Sequence, residues 1–187
     1  MGAKTRTHLT IIIVAVAVVA ASSAGCTNQA TQSPTPGAPA SFLLYSNKNA
    51  GVEINYPSEW QLIGGLVGGN IATFEHANQS NVFQVQRVTL NQSIKNSQSL
   101  APILIGELLK SNLGVSLLEN HTASLGGQPG YEIVFTFKTS GGQLNKQLEV
   151  WTIKGNLLYT ITFSGAATQY DEQSGTAEQM ISSFRFA

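Results

Sequence analysis

The stretch GYEIVFTFKTSGGQLNKQLEVWTIKGNLLYTITFSG, residues 130–165, leaves the chain few ways to fold. Apolar and polar residues alternate through it, and SGG and KGN break the alternation with residues that tight turns favour. It reads as three consecutive antiparallel strands. Ile133, Phe135 and Phe137 share one face while Val134 takes the other; Trp151 and Ile153 oppose Leu148 and Val150. Apolar residues on both faces mean that both faces are at least partly covered. A sheet of this kind needs a layer above it and a layer below.

The rest of the chain supplies those layers. GVEINYPSEW places Val52, Ile54 and Tyr56 against Glu53 and Asn55, the period of a half-buried strand that Pro57 ends. IATFEHA, VFQVQRVTL and VSLLENHTASL read as further strands, and GGLVGG as a hairpin connection without the lysine of a phosphate cradle. In SLAPILIGELLKSNLG the period lengthens: Leu100, Ile103, Leu104, Leu108 and Leu109 fall near helical spacing. Ser99 is the expected N-cap, Pro102 falls in the first turn, and Gly114 follows the end. YDEQSGTAEQMISSF predicts a closing helix with Tyr170, Ala177, Met180, Ile181 and Phe184 inward. Asp171 and Glu172 then favour its dipole. The expected fold is α+β, a mostly antiparallel sheet with helices packed on it. Trp60 and Trp151 are expected in its core.

Before residue 42 the texture differs. Lys4 and Arg6 precede the apolar run from Leu9 to Ala21, and small residues follow at Ser22, Ser23, Ala24 and Gly25. This is the layout of a secretory signal, expected over residues 1–25, and the run falls short of the about 20 residues of a membrane span. The only cysteine, Cys26, comes next. SAGC resembles the lipobox of surface lipoproteins, with Ser23 where that motif usually has leucine, which makes Cys26 the expected lipidation site. Ordinary cleavage after Ala24, leaving Cys26 a free thiol, is the alternative. Residues 27–41, TNQATQSPTPGAPAS, carry no charge, no large apolar side chain and Pro34, Pro36 and Pro39. They cannot bury enough surface to offset their ordering entropy, so 26–41 read as a tether and 42–187 as the folded domain. The expected location is the extracytoplasmic face of a membrane, with secretion the outcome if Cys26 stays unmodified.

Composition narrows the chemistry. Lys and Arg together number 10, balancing 10 Asp and Glu, so there is no basic field to gather nucleic acid. Only 11% of residues are charged against a usual about 25%, leaving Ser, Thr, Asn and Gln to wet the surface. His76 and His121 are the histidines beyond the leader, and Glu75 and Glu119 are near them in sequence. They would form a weak metal site only if the sheet brought them together, since zinc takes three or four ligands; two separate surface histidines are the plainer reading. Asn78, Asn91 and Asn120 begin N-x-S/T triplets, possible glycan acceptors on exposed loops. No nucleophile elbow, zinc-protease or P-loop signature occurs, so neither catalytic residues nor a cofactor are expected.

YSNKNAGVEINYPSEWQL, LGGQPGYEIVFTFK, LEVWTIKGNLLYTITFSG and the terminal AEQMISSFRF are together similar to the PsbP family. The pattern is a tyrosine-bearing lead strand, G-(apolar)-x-(apolar)-x-x-P-x-x-W, a G-x-x-(G/A)-Y strand and a last helix ending in S-F. It runs from Phe42 to Phe186 and is nearest to the stand-alone, membrane-tethered PsbP-related proteins of prokaryotes. The resemblance implies an α/β/α sandwich and an extrinsic, membrane-associated role. The name-giving member supports the photosynthetic oxygen-evolving complex and its calcium, so calcium is the one cofactor the resemblance brings. The expected function is a non-catalytic binding or accessory domain that supports a membrane complex. Two alternatives stay open: a small-ligand carrier or enzyme whose pocket forms only in three dimensions, and a calcium- or metal-assisted assembly factor.

Overall fold

In the computed structural model of the chain the described residues are 41–65, 69–77, 79–90, 94, 96–111 and 113–187. They form ten strands and two helices: β1 (Phe42–Asn47), β2 (Val52–Pro57), β3 (Trp60–Gly64), β4 (Asn70–His76), β5 (Val82–Thr89), α1 (Ser97–Lys110), β6 (Ser116–Leu125), β7 (Gln128–Lys138), β8 (Leu144–Lys154), β9 (Leu157–Ala166), α2 (Tyr170–Ser183) and β10 (Arg185–Phe186). Seven strands make one sheet in the order β3-β4-β5-β9-β8-β7-β6, and β1-β2-β10 make a second. Every pairing is antiparallel.

The two faces of the large sheet support separate cores, as the double-sided alternation requires. On one face Ile133, Phe135, Phe137 and Trp151 pack under Leu100 and Ala101 of α1, with Leu104, Ile105 and Leu108 at the margin. On the other, Val134, Leu148, Val150, Ile161 and Phe163 meet Ala177 and Met180 of α2 and Val52 and Ile54 of the small sheet. Trp60 and Trp151 are both buried, at 2% and 0% exposure. The fold is thus an α/β/α sandwich in which the small sheet shares the α2 layer.

Local chemistry moves two expected boundaries. The α1 N-cap is Asn96, whose side chain accepts the Ser99 backbone N–H at 2.7 Å, not Ser99 itself. The helix therefore starts at Ser97, and Pro102 stands in its second turn rather than its first. The inward stripe rotates accordingly: Ile103 and Leu109 are exposed, and Ile105 packs against the sheet. At the other end of the chain, Ser183 Oγ accepts the Asn55 N–H at 2.9 Å, and β10 pairs with Glu53 and Val52. Together they close the second edge of β2, a role too short-ranged to appear as periodicity.

The G-x-x-G-Y strand also gains a physical reason. Gly127 turns the chain with φ +75°, and a Cβ on Gly130 would lie 2.6 Å from the Trp151 carbonyl oxygen. Only glycine lets β7 approach β8 so closely there.

Candidate functional site

α1 packs over β7 and β8. The same sheet face continues onto β9, β5 and β4, and between apolar Val82 at one end and Val88 and Leu158 at the other its outward positions are mostly amides and hydroxyls. One rung runs Thr73, Gln84, Thr162 and Glu149 across four strands. The next runs Asn70, Gln86 and Thr160 up to Trp151 under the helix. A third pairs Ser164 with Gln147. That third rung continues through Val82 to Glu75, so the result is a belt of amides and hydroxyls with Glu149 near its centre, Glu75 at its β4 end and an apolar wall under α1.

Most of these side chains are buried or half-buried. Asn70 Nδ2 donates to Thr73 Oγ1 at 2.7 Å and Gln84 Nε2 lies 3.5 Å from the same oxygen. Asn70 Oδ1 is buried with no hydrogen-bond partner among the described residues.

Glu149 sits half-buried at the end of the first rung, with Ile133 on its far side. Packing around the carboxyl strips its water, and this desolvation pushes its pKa from 4.5 to about 7; the Gln147 amide, 3.5 Å away, opposes the shift weakly. At neutral pH the group therefore switches between hydrogen-bond donor and acceptor. Its neighbours are amides and hydroxyls, which recognise polar groups.

The sheet separates the residues singled out from sequence. His76 is on β4 and His121 on β6, second and seventh in the strand order, so five spacings of about 4.8 Å put them about 24 Å apart. They do not share a site. His76 stacks edge-on to Trp60 at 5.8 Å. His121 Nε2 is 3.5 Å from Glu132 Oε1, whose pKa is raised mainly by burial; His121 opposes the rise, while Glu119 and Glu178 add to it. Asp171 pairs with Lys146 at 2.9 Å and Glu172 accepts from Gln79 at 2.8 Å, at the start of α2 as its dipole favours. Asn120 is exposed, but on edge strand β6 and not on a loop, and its Oδ1 accepts from Tyr131 Oη at 3.0 Å. Cys26, Asn78 and Asn91 lie outside the described residues. Calcium takes six to eight oxygen ligands. Among the described residues no three His, Cys, Asp or Glu side chains gather at one place, so the calcium of the family resemblance finds no carboxylate-built site in them.

The belt itself escaped the sequence reading. Its signal was there: TITFS, VFQVQ and KQLEVW carry Thr, Ser and Gln at outward positions where a solvent-facing sheet usually carries Lys and Glu.

The solution structure of cyanobacterial PsbP from Synechocystis sp. PCC 6803 matches with a TM-score of 0.60 and 17% identity, covering 83% of this chain and 98% of that one. The crystal structure of LpqN, involved in cell envelope biogenesis of Mycobacterium tuberculosis, matches with a TM-score of 0.60 and 12% identity over 81% of this chain and 87% of that one. At these identities the likeness shows the fold. Among curated protein sequences none matches the chain. The family model for PsbP matches residues 40–186, and the chain belongs to the PsbP family.

Proposed function

We propose that this PsbP-family chain is an exported, lipid-tethered binding domain that supports a membrane complex from the extracytoplasmic side without catalysing a reaction. The polar belt carries the reading. Half-buried Gln84, Gln86, Thr162 and Glu149, set on one sheet face beside buried Thr73 and Thr160, offer amide, hydroxyl and carboxyl groups for hydrogen bonds with a partner. The N-terminal layout of basic residues, apolar run, SAGC and proline-bearing spacer supports export and attachment through Cys26. A structural relative linked to cell envelope biogenesis is consistent with work at an envelope surface.

A photocrosslinking residue at Gln86 in intact cells tests this, with the same residue at exposed Gln179 of α2 as control. The expected result is one discrete membrane-protein adduct from position 86, lost in Glu149→Lys, and none from position 179. Equal adducts from both positions, or turnover of a hydrolase or redox substrate by the purified chain, would overturn the proposal. The small-ligand carrier is favoured by one observation, the near-neutral Glu149 carboxyl. It predicts a small molecule co-purifying with the domain in place of the protein adduct.

A further inference from the structure

The strands nearest the tether are apolar on the outside. Phe42, Leu43 and Leu44 on β1 are 36%, 46% and 55% exposed, and Leu62 and Ile63 on β3 are 46% each. The two strands belong to different sheets, and each is the edge of its own. They meet around one shallow cleft lined by Tyr45, Asn47, Leu62, Ile63, Gly64 and Ile71, and Tyr45 Oη donates to the Ile71 carbonyl at 2.7 Å across it. Five large apolar side chains in one region exceed the scatter of single exposed leucines on a soluble surface.

The point where the chain enters the domain is fixed beside this patch. The Ser41 carbonyl accepts the Ser58 N–H at 2.8 Å, and the two hydroxyls are 2.7 Å apart. Fifteen residues separate Cys26 from Phe42. Covalent geometry limits fifteen residues to a span of about 50 Å, which exceeds the width of the domain's seven-stranded sheet at about 4.8 Å per strand. A lipid on Cys26 therefore brings the domain to the bilayer by its β1 end, where the chain enters it, and leaves the choice of face to the surface around that point.

We propose that the β1–β3 apolar edge lies in the headgroup layer of the membrane, so that the lipid tether and this edge together fix which way the domain faces; the proposal rests on lipidation of Cys26. Depth is set by the backbone. Among the described residues β1 pairs with β2 on one side only, and the N–H and C=O groups of its other edge are ones that hydrocarbon cannot satisfy. The edge stops at the interface, about 5–10 Å deep, where water and headgroups still reach those groups while the leucines bury. Cleavage before Cys26 removes Lys4 and Arg6 and leaves 8 basic against 10 acidic residues, so anionic headgroups add no attraction; the contact rests on the apolar side chains and persists at high salt.

The test uses tryptophan as the depth probe, because Trp60 and Trp151 are buried and give a constant background. Leu44→Trp, Leu62→Trp and Leu144→Trp are made in the full chain, processed in cells and reconstituted on phosphatidylcholine vesicles with or without bromine on the acyl chains. Leu144 is as exposed as Leu62 but lies on β8, four strands from β3. The expected result is about a twofold loss of the added emission in brominated vesicles at positions 44 and 62, for rings about 5–10 Å deep, and no loss at 144. No loss at 44 and 62 overturns the proposal and returns the edge to a protein partner, such as a strand added to β1; equal loss at all three overturns it by showing no preferred face. Vesicle sedimentation reports the tether separately. If the chain stays in the supernatant, lipidation has failed, and coupling the free Cys26 thiol to a maleimide lipid lets the same quenching pattern decide the face.

Discussion

Replacing Glu149 with Gln should make the domain more stable, by an amount that grows as pH rises from 4.5 and levels off above about 7. The carboxyl has a pKa of 4.5 in the unfolded chain and about 7 in the fold. Between these values the folded state keeps a proton that the unfolded state has released, so stability falls as pH rises. The contribution is whole below pH 4.5 and is lost as pH passes through about 7. At about 1.4 kcal/mol per pH unit the ceiling is about 3 kcal/mol, and the partial exposure of the side chain lowers the expectation to about 1–3 kcal/mol. Glu149→Gln keeps the shape and the Gln147 hydrogen bond but carries no charge. Calorimetric melting at pH 4 should therefore give equal midpoints for variant and wild type. At pH 8.5 the variant should melt higher by about 2–12 °C, taking about 2–4 °C per kcal/mol for a domain of this size. Glu132, also raised, gives both proteins the same residual slope, so the difference isolates Glu149. A variant that melts lower at pH 8.5, or a constant difference at every pH, would show that the carboxylate is held ionised by a partner and would refute the desolvation reasoning.

Further outcomes follow from the packing. Trp151→Ala empties the centre of the α1 core and should cost about 3–5 kcal/mol in urea unfolding, and free iodide quenching of Trp151 in the native protein would contradict its burial. Gly130→Ala places a methyl against the Trp151 carbonyl and should cost about 1–3 kcal/mol by the same assay, whereas Gly175→Ala in α2, where a Cβ meets nothing within 4 Å, should stabilise by up to about 1 kcal/mol. Cys26→Ser should block lipid attachment, leaving the signal uncleaved or the protein in the medium, as cell fractionation would read.

The sheet was legible because its strands carry two patterns at once. Val134, Leu148 and Val150 against Ile133, Phe135 and Trp151 could satisfy only a sheet covered on both sides, and α1 and α2 supply the covers. The start of α1 was not, because Asn96 and Ser99 are both good caps and only the geometry chooses between them. β10 was missed because two residues have no period; what holds it is the Ser183 contact to Asn55, 128 residues away in sequence. The belt was hidden by the rule that found the strands. Alternation assigns Gln84, Thr160, Thr162 and Glu149 to the polar side, and nothing in a period of two distinguishes open water from a half-buried trough beside a helix. The histidines misled in the opposite way: rarity drew attention to His76 and His121, and strand order set them five places apart.

That the domain works from a lipid tether is tested most directly by the intact mass of the N-terminal peptide of the mature protein taken from cells. The expected species begins at Cys26 and carries a diacylglyceryl thioether, two chains contributing about 0.8 kcal/mol per buried CH₂ and so enough to keep the protein with membranes through a high-salt wash. A terminus at Gly25, or a free thiol at Cys26, would contradict it.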